Sequence, residues 1–370
     1  MRQHHDHQSS WLLTGLAIRS GQRIGLHRDS SSRGLSPFEA EIRRRLWWQI
    51  LTLDTRSAQM SGASIDPECR VLSHTKRPLN VNDCDLYPTM TKSPTEHNRC
   101  ATDMVFCAMR YETSTLYSLP QNSNMSGKDD AIRELEDRLQ EKFLQYCDPA
   151  VPLHLLAIHL GRCIVCQLYI SVHHPRQYSD KGASLSHEET EMLFAMNLEV
   201  LERTNIVHTT ECLQGYLWHM RDLFPFEAFI YVLMEMPNRP EDNLSVSKAW
   251  TEVNTIYETH PELMNNMSVD PLYAAIGNLA LKSWEKSSHG MITDTPDWAE
   301  RLRSIKDSSS SGTAQHQPRD GNQAKSAASD SVHHTGSSSA HSAVTAVIDG
   351  IDLDCWDWEY WTDLLDQHQT

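Results

Sequence analysis

Twenty histidines and nine cysteines give this chain many groups able to hold a metal or move a proton, and their spacing decides whether they can act together. Cys163 and Cys166 stand at C-x-x-C spacing within HLLAIHLGRCIVCQLYI. A zinc site would need a second pair, and no such pair completes it. In an apolar helical run thiols behave as small hydrophobic side chains, so a core role is expected. His154 and His159 are five residues apart, share no helix face well, and are not followed by the glutamate of an H-E-x-x-H site. They read as satisfied histidines in or beside a core. Asp54 falls on an apolar helix arc, where an unpaired charge costs several kcal/mol, roughly. Arg23 and His27 are its nearest candidate partners, and a structural Asp54 that locks two helices is favoured over a catalytic one. No ordered set of nucleophile, base and oxyanion donor is visible and no Gly-rich phosphate loop exists. No catalytic, cofactor-binding or metal-binding residue is therefore expected in this chain.

The helix that carries Asp54 is strongly marked. Ser36 can cap it, Pro37 sits at its first position, and Glu39 completes a capping box. Glu39 faces Arg43, and Glu41 faces Arg45, at the acid-first i, i+4 spacing. Leu46, Trp47, Ile50, Leu51, Leu53 and Ala58 share the arc expected to bury. Before it, Trp11, Leu12, Leu13, Leu16, Ala17 and Ile24 form the apolar stripe of a first helix ending near Gly21 or Gly25 and packing on the second. After Gly62 the helical pattern stops, and RPLNVNDCDLYP reads as an extended segment.

Helical patterning returns at about 102–119 and 129–147, the latter with Ile132, Leu135, Leu139, Phe143 and Tyr146 inward. Residues 152–174 are apolar nearly all round, as in a helix central to a bundle. Ser186 and Glu189 form a second capping box and open a helix to about 209 with Met192, Leu193, Met196, Val200 and Leu201 inward. Pro225 should kink or restart the chain's helical course within GYLWHMRDLFPFEAFIYVLMEMPNRP. The aromatic and Met-rich stripe there suits a core, with a ligand pocket as the alternative. Further helices are expected at 247–259 and across DPLYAAIGNLALKSWEK, so the fold class is all-α, multi-helical, with irregular loops.

A hydrophobic content of 39% suffices for a large core, while the net charge of −16 is unevenly placed. Residues 1–60 hold nine Arg against five acids, whereas residues 349–370 hold six Asp and one Glu with no Lys or Arg. So acidic a chain is repelled by phosphates unless it displays a separate basic module, and none is found. The opening MRQHHDHQSS is no secretory leader, so reduced thiols are expected. No uninterrupted apolar span of about 20 residues suggests a membrane helix. The expected organisation is a disordered 1–10, a helical body at 11–306, a Ser- and Gly-rich linker at 307–342 and a terminal segment at 343–370. In that segment Leu353, Trp356, Tyr360, Trp361, Leu364 and Leu365 line up on a helix among acids, with Trp358 beside them. An aromatic, acidic segment on a tether suits transient docking in a partner's hydrophobic, basic-rimmed groove. Folding back onto the domain's own apolar surface is the alternative.

The order GLHRD, a polar loop, E-x-E-x-RRR-L-WW and L-x-LD resembles the signature of the fungal-specific transcription factor domain, the middle homology region of fungal Zn2Cys6 regulators. The positions that carry the likeness include His27, Arg28, Asp29, Glu41, Arg43, Arg44, Arg45, Trp47, Trp48 and Asp54. Pro78, Asn80, Asn82, Asp83, Asp85, Leu86 and Pro88 fit the segment that closes the signature, and the likeness spans about residues 11–300. It implies a nuclear transcription regulator controlling a metabolic or secondary-metabolite gene cluster, with no enzymatic activity. It further implies contacts with transcription machinery or co-regulators through Trp356, Trp358, Trp361, Leu364 and Leu365, a homo- or heterodimer, and a small-molecule effector. Zinc is expected only in the family's N-terminal six-cysteine cluster, which this sequence lacks, so no specific DNA contact and no membrane contact are expected from it. A truncated reading of the gene or a short regulator without DNA contact would account for that, and would leave apolar surface exposed where upstream helices pack. An inhibitory partner of longer relatives is the alternative reading. A helical enzyme using Asp54 and His27 is a third, and it requires Asp54 open in a cleft.

Overall fold

The computed structural model describes residues 7–29, 34–61, 75–97, 99–113, 125–175, 185–220, 224–240, 244–287 and 295–312. Among them are twelve α-helices and no β-strand. The chain divides into two compact units between Phe229 and Ile230.

The first unit opens with an antiparallel hairpin of α1 (His7–Arg23) and α2 (Pro37–Ser61). Gly25 ends α1 at φ +78°, and the bonds Leu26 N–H to Gly21 O and Gly25 N–H to Gln22 O make the paired closure of a left-handed helix end. Across the polar loop, Ser36 Oγ accepts from the Glu39 amide at 3.2 Å, and the Glu39 carboxylate accepts from the Ser36 amide, so α2 begins at Pro37. Three contacts set the register: Thr14 with Asp54, Gly21 with Trp47, and Ile24 with Arg43. Ile18, Leu26, Trp47 and Leu51 form the small core between the two helices.

The buried line of α2 is Ala40, Arg44, Trp47, Leu51, Thr55 and Ala58, at helical spacing with two polar members. Leu46, expected inside, is 47% exposed, because counting apolar positions alone drew the arc away from Arg44 and Glu41. The expected stripe of α1 is also displaced. Ile18 and Gly21 face α2, whereas Trp11, Leu12, Leu13 and Leu16 are exposed. The helix begins at His7, inside the stretch expected to be disordered.

α3 (Val105–Thr113), α4 (Met125–Lys142) and α5 (Pro152–His173) share a core in which Ile132, Leu135 and Leu139 of α4 are wholly buried. α5 is long and apolar enough by length and composition to cross a membrane, and its apolar side chains here pack on neighbouring helices. α6 (His187–Thr209) lies along α5 and starts at its capping box, where Glu189 N–H meets Ser186 Oγ at 3.2 Å. Arg162 of α5 joins them to α4, holding Glu199 through two bonds and Glu136 through one at 2.7 Å. α7 (Leu217–Met220) is short, and Pro225 restarts the helical course as α8 (Phe226–Glu235), accepting from the Phe229 amide. His174, buried at the end of α5, meets Glu227 at 3.1 Å.

The second unit contains α9 (Leu244–Thr259), α10 (Glu262–Asn265), α11 (Pro271–Ser287) and α12 (Asp297–Gly312). Trp298 of α12 stacks on Tyr257 with ring centroids 4.7 Å apart, meets Trp250 and Trp284, and donates its indole N–H to Asn254 at 2.7 Å. That pairing satisfies the one polar atom of a buried tryptophan. α12 continues to Gly312, six residues into the stretch expected to be linker.

Candidate functional site

The residues singled out in the sequence gather along one side of α2, where the extended segment from Thr75 to Val81 lies against it. Asp29 follows the left-handed turn at Gly25 and takes both Arg44 Nε and Nη2, at 3.0 and 3.1 Å. Its Oδ2 also accepts the amide of Lys76 at 3.1 Å. Glu41, 1% exposed, receives Arg44 Nη1 at 3.5 Å, Arg45 Nε at 3.3 Å and the amide of Leu79 at 3.0 Å. Arg45 then reaches Asp83 Oδ1 at 2.6 Å and the Val81 carbonyl. The arginines of the RRR run thus face three ways: Arg43 donates to the Ile24 carbonyl, Arg44 to Asp29 and Glu41, and Arg45 to Glu41 and Asp83. The Glu39–Arg43 pairing expected from spacing gives way to Arg43's bond with the end of α1.

Burial pushes the Glu41 carboxyl above the ordinary carboxylate range, against the lowering effects of the Leu79 amide and the two arginines. For Arg44, burial works against the charge, but the bonds and charges of Asp29 and Glu41 outweigh it and raise its pKa. A charge network of this kind adds little net stability relative to apolar packing, yet removing one member costs about 3–5 kcal/mol because its partner stays buried. Its contribution is register. Glu41 and Asp29 each bind two different parts of the chain, so the extended segment cannot slide along α2 without breaking charged bonds.

The aromatic residues seal the same seam. Trp47 is wholly buried, with the ring of His27 at 6.2 Å, and Arg28 Nε donates to His27 Nε2. Trp48 donates its indole N–H to the Lys76 carbonyl at 2.9 Å, packs on Tyr111 at 5.0 Å, and carries Arg77 over its face. Thr75 Oγ1 donates to the Leu26 carbonyl at 2.6 Å.

Every polar member of the N-x-N-D-x-D run is also engaged. Asn80 donates to the His97 carbonyl and accepts from Thr102 Oγ1, while Asn82 Oδ1 accepts from the Asp103 amide. Asp103 in turn accepts from the Asp83 amide, and Asp85 meets His97 at 3.0 Å. Asp83–Asp85 form a 3-10 turn where extended backbone was expected, because the Asp85 carboxylate accepts the Asn82 amide at 3.0 Å and folds the chain there; the other bonds serve the backbone of the extended part, which has no ladder.

Asp54 lies apart from this group. It is half-buried, and its Oδ1 accepts from Thr14 Oγ1 of α1 at 2.8 Å. The expected partners sit elsewhere: in the antiparallel register Thr14 is opposite Asp54, while Arg23 ends α1 and His27 packs on Trp47. Asp54 therefore bonds α1 to α2, through a hydroxyl.

Glu112 was missed. It follows Val105 and Met109 at i, i+4, i+7 spacing, the same signal of a carboxylate on an apolar line that marked Asp54. It is buried and gathers Lys142 at 2.7 Å, Arg77 at 3.3 Å and Arg138 at 4.0 Å, so it ties the extended segment and α4 to α3.

Among the described residues, no group of three or more His, Cys, Asp or Glu side chains is placed to hold a metal ion. His154 caps the turn before α5 by accepting the Asp148 amide at 3.1 Å, and His159 is buried, which lowers its pKa. Burial pushes both the Cys163 and the Cys166 thiols up to about 12. The terminal residues Trp356, Trp358, Trp361, Leu364 and Leu365 lie outside the described residues.

Helices fastened by buried ion pairs around a threaded, extended segment define an all-helical scaffold domain. Residues 2–103, which contain Asp29, Glu41, Arg44, Arg45, Asp83 and Asp103, match the family described as the fungal specific transcription factor domain, and this part of the chain belongs to that family. The chain is 42% identical over 291 residues to the aurofusarin cluster transcription factor aurR2 of Gibberella zeae, covering 76% of this chain and 43% of that protein. It is 31% identical over 330 residues to the pyriculol/pyriculariol biosynthesis cluster transcription factor 1 of Pyricularia oryzae, covering 81% and 43%. It is 30% identical over 293 residues to the transcriptional regulator AacuB of Aspergillus aculeatus, covering 74% and 38%. The chain thus spans less than half the length of these curated relatives. No solved structure matches it.

Proposed function

We propose that this chain is the regulatory body of a fungal transcription factor that controls a biosynthetic, secondary-metabolite gene cluster and acts in the nucleus, not an enzyme. The observation that carries this reading is the 42% identity, over 76% of the chain, to a relative named as a cluster transcription factor. The brace fits it, since Asp29, Glu41, Arg44 and Arg45 bind one another and the chain itself. On this reading the helical body positions the terminal segment, and Trp356, Trp358 and Trp361 contact transcription machinery or co-regulators. Specific DNA contact is assigned to segments other than these residues, and any small-molecule effector would act through the helical body.

The test is a reporter assay with residues 307–370 joined to an unrelated DNA-binding module. Activation that is lost when Trp356, Trp358 and Trp361 become Ala is the expected result, and a silent fusion would overturn the assignment of the segment.

A further inference from the structure

α1 has two distinct faces. Thr14, Ile18 and Gly21 face α2, and on the opposite side run Leu12, Leu16, Arg19 and Arg23. Leu12 is 67% and Leu16 is 59% exposed, and Leu13 beside them is 43% exposed. The outward line is therefore leucine in its first half and arginine in its second, the pattern of a docking helix rather than of a solvated one.

The arginines decide between occupants. A second copy laid antiparallel on this line would set leucine against arginine, and a parallel one would set arginine against arginine. An acidic segment with aromatic and leucine side chains satisfies both halves, and the sequence of this chain has one: Trp356, Tyr360, Trp361, Leu364 and Leu365 are interspersed with Asp354, Asp357, Glu359, Asp363 and Asp366. The intervening stretch from Gly312 to Asp349 has a contour length of ~120 Å at ~3.3 Å per residue. We propose that residues 353–366 dock in cis on the Leu12–Leu13–Leu16 face of α1, with their carboxylates on Arg19 and Arg23. Docked there, the segment's tryptophans are withheld from any other partner.

Amide hydrogen exchange of the full chain tests this without a transcriptional readout, so its failure leaves the proposed function standing. Amides of residues 8–20 should exchange at least ~10-fold more slowly in the unaltered chain than in a Trp356→Ser, Trp361→Ser, Leu364→Ser variant, whose changes leave α1 itself untouched. Arg19→Glu with Arg23→Glu should remove the same protection, and adding Asp357→Lys with Asp363→Lys should restore it. Equal exchange in the unaltered chain and the tail variant would overturn the proposal. So would protection that rises with protein concentration, which would place a second copy on the face, or protection indifferent to the charge reversals.

Discussion

Asp29 and Arg44, fifteen residues apart, meet in a fork of two bonds at 3.0 and 3.1 Å, with Arg44 nearly buried. The fork closes the loop between α1 and α2 and at the same time receives the extended segment through the Lys76 amide. A planar guanidinium can make this pairing and an ammonium cannot. Arg44→Lys should therefore destabilise the protein by about 2–4 kcal/mol despite keeping the charge. Urea unfolding at neutral pH checks it, and a loss below about 0.5 kcal/mol would mean that charge alone suffices.

The two ends of Arg45 should differ. Glu41 is 1% exposed while the Asp83 side chain is 73% exposed, so one bond lies in a dry interior and the other in water. Glu41→Ala should cost about 3–5 kcal/mol, because it leaves Arg44 Nη1, Arg45 Nε and the Leu79 amide without their acceptor in a buried place. Asp83→Ala should cost about 1 kcal/mol or less. Comparable losses for the two would contradict the difference in burial.

Local rules made much of this legible before any coordinates. The capping boxes at Ser36 and Ser186, the inward line of α4 and the pairing of Glu41 with Arg45 follow from spacing of three or four residues, which a helix fixes by itself. The rest depends on register between elements. Thr14 could be matched to Asp54 only once α1 and α2 were known to run antiparallel, and Asp29 to Arg44 only once the Gly25 turn had placed the loop. The path of Thr75–Val81 is set by single bonds to backbone amides, which leave no periodic trace. Glu112 did leave a trace, a carboxylate on an apolar line, but its three cations come from sequence positions 77, 138 and 142.

Glu112 predicts part of the acid sensitivity. Burial works to raise its carboxyl, but the bonds and charges of Lys142 and Arg77 outweigh this and hold it below the ordinary carboxylate range. A carboxyl depressed in the folded state contributes stability above its unfolded pKa, and that contribution is lost as pH falls through the folded value. Glu41, raised by burial, has the opposite sign: its contribution is present below the unfolded pKa and fades as pH rises through the folded one. Between pH 5 and 3, stability should thus fall more steeply in the unaltered chain than in Glu112→Gln, measured by urea midpoints at each pH. Parallel slopes would assign the acid loss to other groups.

The seam between α1 and α2 has no spare room at Gly21. A methyl group there would stand 2.9 Å from the six-membered ring of Trp47, which is wholly buried. Gly21→Ala should destabilise by about 1–3 kcal/mol through overpacking, and in a Trp47→Phe background the same change should cost clearly less. Additive losses in the double variant would show that the clash is relieved elsewhere.

Thiol chemistry separates the exposed cysteines from the C-x-x-C pair. Cys84, Cys100 and Cys212 are exposed, whereas Cys163 and Cys166 are buried in α5 with their pKa values pushed up to about 12 by burial and, for Cys166, by the neighbouring Glu199 carboxylate. A thiolate is the reactive species, so at pH 8 the buried pair is both shielded and protonated. A disulfide-exchange reagent should modify Cys84, Cys100 and Cys212 within minutes and reach Cys163 and Cys166 only on the timescale of unfolding, with peptide mass mapping to assign each site. Rapid labelling of Cys163 or Cys166 in the folded protein, or its suppression by added zinc, would mean that the pair is an open ligand set and would overturn its reading as core.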